Sequence, residues 1–168
     1  MNKLYITFFA SALLLPGIPL APFLSVSEES PLYTHFVYML GHASILHWFI
    51  NAWALFMLHN IMYPSRLLVA YLLSVLMTGI PFVIPSTESG SLGLVGVSVI
   101  NCFFFGFILP YTMRTDKLSA YMMMSLVLIG FFIPGIAALP HVIMFVSGCV
   151  YFYVECAIRS FLSLYNDK

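Results

Sequence analysis

Six stretches of this chain each run for about twenty mostly apolar residues: 4–24, 40–62, 66–85, 94–113, 118–137 and 140–161. That is the length an α-helix needs to cross the roughly 30 Å hydrocarbon core of a bilayer. Prolines and glycines punctuate the ends of the runs, as at Pro64, Pro81, Pro85, Pro110, Pro134 and Pro140. Pro140 suits the first turn of a helix, where its missing N–H costs nothing. Only 7% of the residues are charged and 62% are hydrophobic, against roughly 25% charged in soluble domains. The expectation is one all-α, polytopic membrane domain over 1–168, six transmembrane helices embedded in the lipid bilayer. Lys3 ahead of an apolar run gives the first segment some likeness to a signal peptide. It lacks a clean A-x-A site, however, and Pro16, Pro19 and Pro22 crowd its far end, so it is kept as a span.

The same composition excludes several functions. The formal net charge is zero, which gives no reason to expect nucleic acid or an acidic partner. Cys102, Cys149 and Cys156 fall inside apolar runs, where thiols behave as small hydrophobes. No CxxC or zinc-like spacing occurs, so neither a disulfide framework, a metal nor a cofactor is expected.

Orientation follows from the basic residues. With six spans and an inside N-terminus, Lys3, Arg66, Arg114, Lys117, Arg159 and Lys168 all fall at the cytoplasmic side, as the positive-inside rule requires. Glu28, Glu29 and Glu88 fall in outer loops. The expected protein is therefore multi-pass, with both termini cytoplasmic, in a plasma (inner) membrane. On that topology His42, His47, Ser98 and His141 come from three different spans to a similar outer depth, with Asn51 somewhat deeper. Polar groups inside a bilayer are expensive, and they usually face the bundle interior or a water-filled cavity.

Each of these residues has an ordinary structural reading. Ser98 alone suits helix packing, bonding back to its own backbone. His42, His35 and His59 suit the interface, with apolar ring bodies and polar tips. Glu155 and Arg159, spaced i, i+4, read as a local ion pair. His47 and Asn51 are harder to dismiss, because the same spacing puts both on one helix face. An inward-facing donor pair costs free energy unless something accepts its hydrogen bonds. A developing oxyanion would accept them. His42 and His47, at i, i+5, diverge around a helix and make a poor metal pair.

In these residues the chain resembles the rhomboid intramembrane serine proteases. That family carries HxxxxHxxxN in its second span, here His42, His47 and Asn51 in "HASILHWFIN". Its fourth span carries GxSG, and its sixth a histidine followed by small residues at helical spacing. Two registers fit the serine motif. "GLVG" at 93–96 has both glycines but puts Val95 at the nucleophile position, whereas "GVSV" at 96–99 keeps Gly96 and Ser98 and loses the second glycine to Val99. The second is preferred, since Gly106 then falls at the later glycine position and Arg114 closes the span. His141 matches the family's general base, and Gly148 lies seven residues on, on the same helix face.

The resemblance implies a rhomboid-like bundle that cuts transmembrane segments of substrate membrane proteins with a Ser98–His141 dyad. No acidic residue lies in an outer-half span to complete a triad. His47, Asn51 and the Ser98 backbone N–H would stabilise the oxyanion. Three positions depart from the pattern: Val99, Met144 and Cys102 stand where glycine, glycine and an aromatic are usual. Should Val99 and Met144 meet, the helices carrying the dyad would be held apart and turnover would be slow. The lost glycines also fit a rhomboid-like pseudoprotease that binds transmembrane segments without cleavage. A small channel or transporter would use the same polar cluster, but no paired broken helices mark a repeated half.

Overall fold

In the computed structural model, which describes residues 17–27, 30–80, 94, 96–132 and 138–166, every regular element is helical and no strand occurs among those residues. The elements are α1 (Gly17–Leu24), α2 (Thr34–Val37) running into a 3-10 turn (Tyr38–Leu40), and α3 (Ile45–Leu58). After them come α4 (Pro64–Thr78), α5 (Ser98–Thr115), α6 (Lys117–Leu128) with a 3-10 turn (Ile129–Phe131), and α7 (Ala138–Asn166). Most of the first expected span, together with Lys3, Glu28, Glu29, Pro81, Pro85, Glu88, Val95, Pro134 and Lys168, lies outside the described residues.

Local chemistry sets where these helices begin. Ser44 is extended, and its hydroxyl accepts the His47 N–H at 3.1 Å, so α3 starts five residues later than the apolar run suggests. Pro64 occupies the first position of α4, where its lost N–H is harmless. Asp116 caps α6 by accepting the Ser119 N–H at 3.2 Å. Pro110, expected at a helix end, stands inside α5 instead. One described helix is long and apolar enough to cross a membrane, over Ala138–Ser163; Ile45–Leu58, Pro64–Thr78 and Lys117–Leu128 are apolar but shorter.

Contacts fix the helix directions. Ser98 meets His141, the Phe103 carbonyl meets Gly148, and the Phe107 ring lies 5.6 Å from that of Phe152. The contacts advance along both helices together, so α5 and α7 run parallel. Gly96 beside His47 and Asn101 on Asn51 give α3 the same direction. α4 runs opposite: Arg66 at its start bonds Glu155 late in α7, whereas Thr78 at its end bonds His35 ahead of α3. Ser98 and His141 therefore share one end of the bundle. Arg66, Arg114, Lys117 and Arg159 gather towards the other.

That far end holds an ion pair invisible to local spacing. Arg66 forks onto Glu155, Nε to Oε2 at 2.8 Å and Nη2 to Oε1 at 2.6 Å, and gives Nη1 to the Ile61 carbonyl at 3.0 Å. Its guanidinium lies 4.2 Å from the Phe107 ring centre and 4.8 Å from that of Tyr63. Arg159 supplies the expected i, i+4 partner at 2.5 Å. Glu155 is thus a tie between α4 and α7 as well as a local pair.

Polarity is arranged inside out. The core of Tyr38, Val99, Ile100, Phe103, Phe104 and Met144 also encloses His42, Asn51, Arg66, Ser74, Thr78, Asn101 and Thr112. Large apolar side chains stand outside on α3 (Ile45, Leu46, Phe49, Ile50, Trp53) and on α7 (Val146, Val150, Val154, Ile158, Phe161). Contiguous apolar patches of that extent are rare on soluble monomers.

Candidate active site

A glycine shapes the chain that enters α5. Gly96 has φ +103°, a conformation that side chains with a Cβ rarely adopt. Its N–H donates to the Tyr38 carbonyl at 2.9 Å, and nearby Leu94 exchanges two backbone bonds with Val26 at 2.8 and 2.9 Å. A Cβ on Gly96 would stand 2.7 Å from His47 Cε1 and 3.0 Å from Nε2. The glycine therefore lets the approach to Ser98 lie directly on the His47 ring.

Ser98 is the first residue of α5, and its Oγ lies 2.8 Å from His141 Nε2 in the first turn of α7. Two more glycines make that meeting possible. A Cβ on Gly148 would fall 1.9 Å from the Phe103 carbonyl oxygen, and one on Gly106 would fall 1.8 Å from that of Phe145. Each helix thus offers a glycine to the other's backbone, and the missing Cβ is what lets the two approach so closely. Val99 and Met144 are both buried in the core, yet serine and histidine stand at hydrogen-bond distance. The separation expected from those two bulky residues is not present.

His47 has a defined tautomer. The Ala43 N–H donates to His47 Nδ1 at 3.2 Å, and a nitrogen that accepts must carry a lone pair. The neutral ring then holds its proton on Nε2, the nitrogen on the Gly96 side.

Asn51, one turn further along α3, is buried, and its Nδ2 donates to the His47 carbonyl at 3.0 Å. Its Oδ1 accepts from Asn101 Nδ2 at 3.0 Å. Among the described residues neither His47 nor Asn51 bonds Ser98 itself. The sequence reading missed Asn101, although an asparagine three residues after Ser98 in an apolar run is the kind of costly polar residue that marks a site.

His42 departs from its expected place. It precedes the Ser44 cap, so it is not on the helix that carries His47, and the divergence argued from i, i+5 spacing does not apply. Its ring packs edge-on against His47 with centres 5.3 Å apart. It is wholly buried rather than interfacial. His35 bonds Thr78 Oγ1 at 2.9 Å, and His59 bonds the Phe56 carbonyl at 2.6 Å, so both have structural partners. Ser98, His47 and His141 remain partly exposed.

The arrangement offers a hydroxyl in contact with an imidazole at the start of a helix, where the first N–H groups lack intrahelical acceptors. A second imidazole, that of His47, lies beside Gly96, two residues ahead of the serine. Compared with protein families, with characterised proteins and with solved structures, the chain matches none.

Proposed function

We propose that the chain is a rhomboid-type intramembrane serine protease, hydrolysing a peptide bond in or near a transmembrane segment of another membrane protein. The observation that carries this reading is the 2.8 Å contact of Ser98 Oγ with His141 Nε2. A serine hydroxyl is a weak nucleophile until an adjacent base takes its proton. Here His141 takes it as Oγ attacks the scissile carbonyl carbon. The carbonyl oxygen becomes the oxyanion, met by His47 Nε2–H, by the second N–H of the Asn51 amide and by the Ser98 backbone N–H. Collapse breaks the C–N bond, and His141 delivers the proton to the leaving amine. Water then attacks the acyl-serine, with His141 again taking and returning a proton. The partial exposure of Ser98 and His141 supports access for that water.

In this reading the chain is a six-span, multi-pass protein of a plasma membrane with both termini cytoplasmic and the dyad near the outer face. Three features support it: the apolar exterior, the alternating directions of α3, α4 and α5, and the gathering of basic residues opposite the dyad. The test is labelling with a fluorophosphonate, which modifies activated serines. Ser98 should be labelled in the wild type and not in His141→Ala. Labelling independent of His141, or absent altogether, would favour a binder of transmembrane segments that does not cut them.

A further inference from the structure

Asn101 sits where an apolar residue would be cheaper. It is 2% exposed, and its two amide hydrogens are directed to Asn51, to Oδ1 at 3.0 Å and to the backbone carbonyl at 3.3 Å. Its own Oδ1 has no hydrogen-bond partner among the described residues. An unsatisfied buried acceptor costs about 1–3 kcal/mol; a leucine of similar size carries no such atom, but it would leave the Asn51 Oδ1 without its Asn101 donor.

The effect of this contact falls on Asn51. A carboxamide can present nitrogen or oxygen to a pocket by rotating half a turn, and packing alone hardly distinguishes the two. Here two bonds act in the same sense. Asn101, its nitrogen fixed by the Asn51 backbone carbonyl, demands an oxygen from the Asn51 side chain, and the His47 carbonyl demands a nitrogen. The nitrogen is therefore turned towards His47, the end of α3 where Gly96 and Ser98 lie, and the oxygen towards Asn101. One Asn51 N–H bonds the His47 carbonyl and the other remains for a ligand. Asn101 also stands three residues after Ser98 on α5, so the helix carrying the nucleophile itself sets the orientation of the donor on α3.

We propose that Asn101 is a positioning residue, holding the Asn51 carboxamide with its N–H rather than its oxygen towards the Ser98 pocket. The inference rests on the proteolytic reading above. Without Asn101 the His47 carbonyl alone holds the amide, and each half-turn away from it presents an oxygen that repels the oxyanion it should stabilise.

The test is a cycle of wild type, Asn101→Leu, Asn51→Ala and the double variant, reading turnover, KM and thermal stability on a transmembrane substrate. Asn101→Leu should lower kcat about 10-fold with KM changed less than about two-fold, as a misaligned oxyanion donor requires. In the Asn51→Ala background the same substitution should lower kcat no further. Should Asn101→Leu fail to fold, Asn101→Ala removes the donor without adding bulk and is read in its place. Equal losses of kcat in both backgrounds, or an unchanged kcat, would overturn the positioning role while leaving the protease reading intact. A wild type that cleaves nothing removes the protease reading and this inference together.

Discussion

Gly148 stands against the backbone of Phe103, with no room for even one carbon between them: a Cβ there would fall 1.9 Å from the Phe103 carbonyl oxygen. The contact lies about two turns below His141 on α7, so the spacing of the dyad depends on it. Gly148→Ala should force α5 and α7 apart and reduce both stability and cleavage, by about 1–3 kcal/mol in unfolding free energy. Gly148→Leu should do more. Unfolding in denaturant and cleavage rate, measured on the same preparations, check this. An alanine variant with normal activity would mean that the helices can separate here without disturbing Ser98 and His141.

Val99 and Met144 give the opposite expectation to the one their sequence positions suggest. Both are almost fully buried, and the serine already reaches the histidine. Replacing either with glycine creates a cavity and adds backbone freedom within a helix. Met144→Gly should cost at least the roughly 2–5 kcal/mol typical of a buried methionine cut to alanine, without raising turnover. A faster Val99→Gly, Met144→Gly double variant would show that these side chains do hold the dyad apart.

Arg66 and Glu155 join α4 to α7 across 89 residues of sequence. Their side chains are 10% and 17% exposed, so losing one partner strands a largely buried charge. Glu155→Ala should destabilise by about 3 kcal/mol, and the Arg66→Ala, Glu155→Ala double variant by less than the sum of the singles. Arg159→Ala, which removes the partner that is 70% exposed, should cost under about 1 kcal/mol. Additive losses from Arg66 and Glu155 would mean the fork is not a unit.

These cases mark what the sequence discloses and what it does not. Spacing put His47 and Asn51 on one face of one helix, and both are on α3, Asn51 against α5 and His47 against Gly96 just ahead of it. The resemblance paired Ser98 with His141, and the two are in contact. Asn101 on Asn51, Arg66 on Glu155 and His42 against His47 were missed for two physical reasons. The first two join residues 50 and 89 positions apart, which leaves no periodic trace. The third depends on where α3 begins, decided by one Ser44 hydroxyl inside a run that reads as continuous helix. The helix lengths erred for the same reason, since hydropathy registers apolar residues and not caps.

Membrane orientation has its own check. A reporter fused after residue 29 or 88 should be external, and one fused after 115 or 168 internal. An internal reporter after residue 88 would put Ser98 at the wrong side of the membrane for an outer-facing site.

The most direct test reconstitutes the purified protein in liposomes with a generic transmembrane substrate and maps any cut by mass spectrometry. Wild type should cut within or near the span. Ser98→Ala and His141→Ala should each abolish cleavage while remaining folded, and the double variant should be no worse than either, because the two groups act as one unit. Cleavage that survives Ser98→Ala would show that the 2.8 Å Ser98–His141 contact is not the catalytic one.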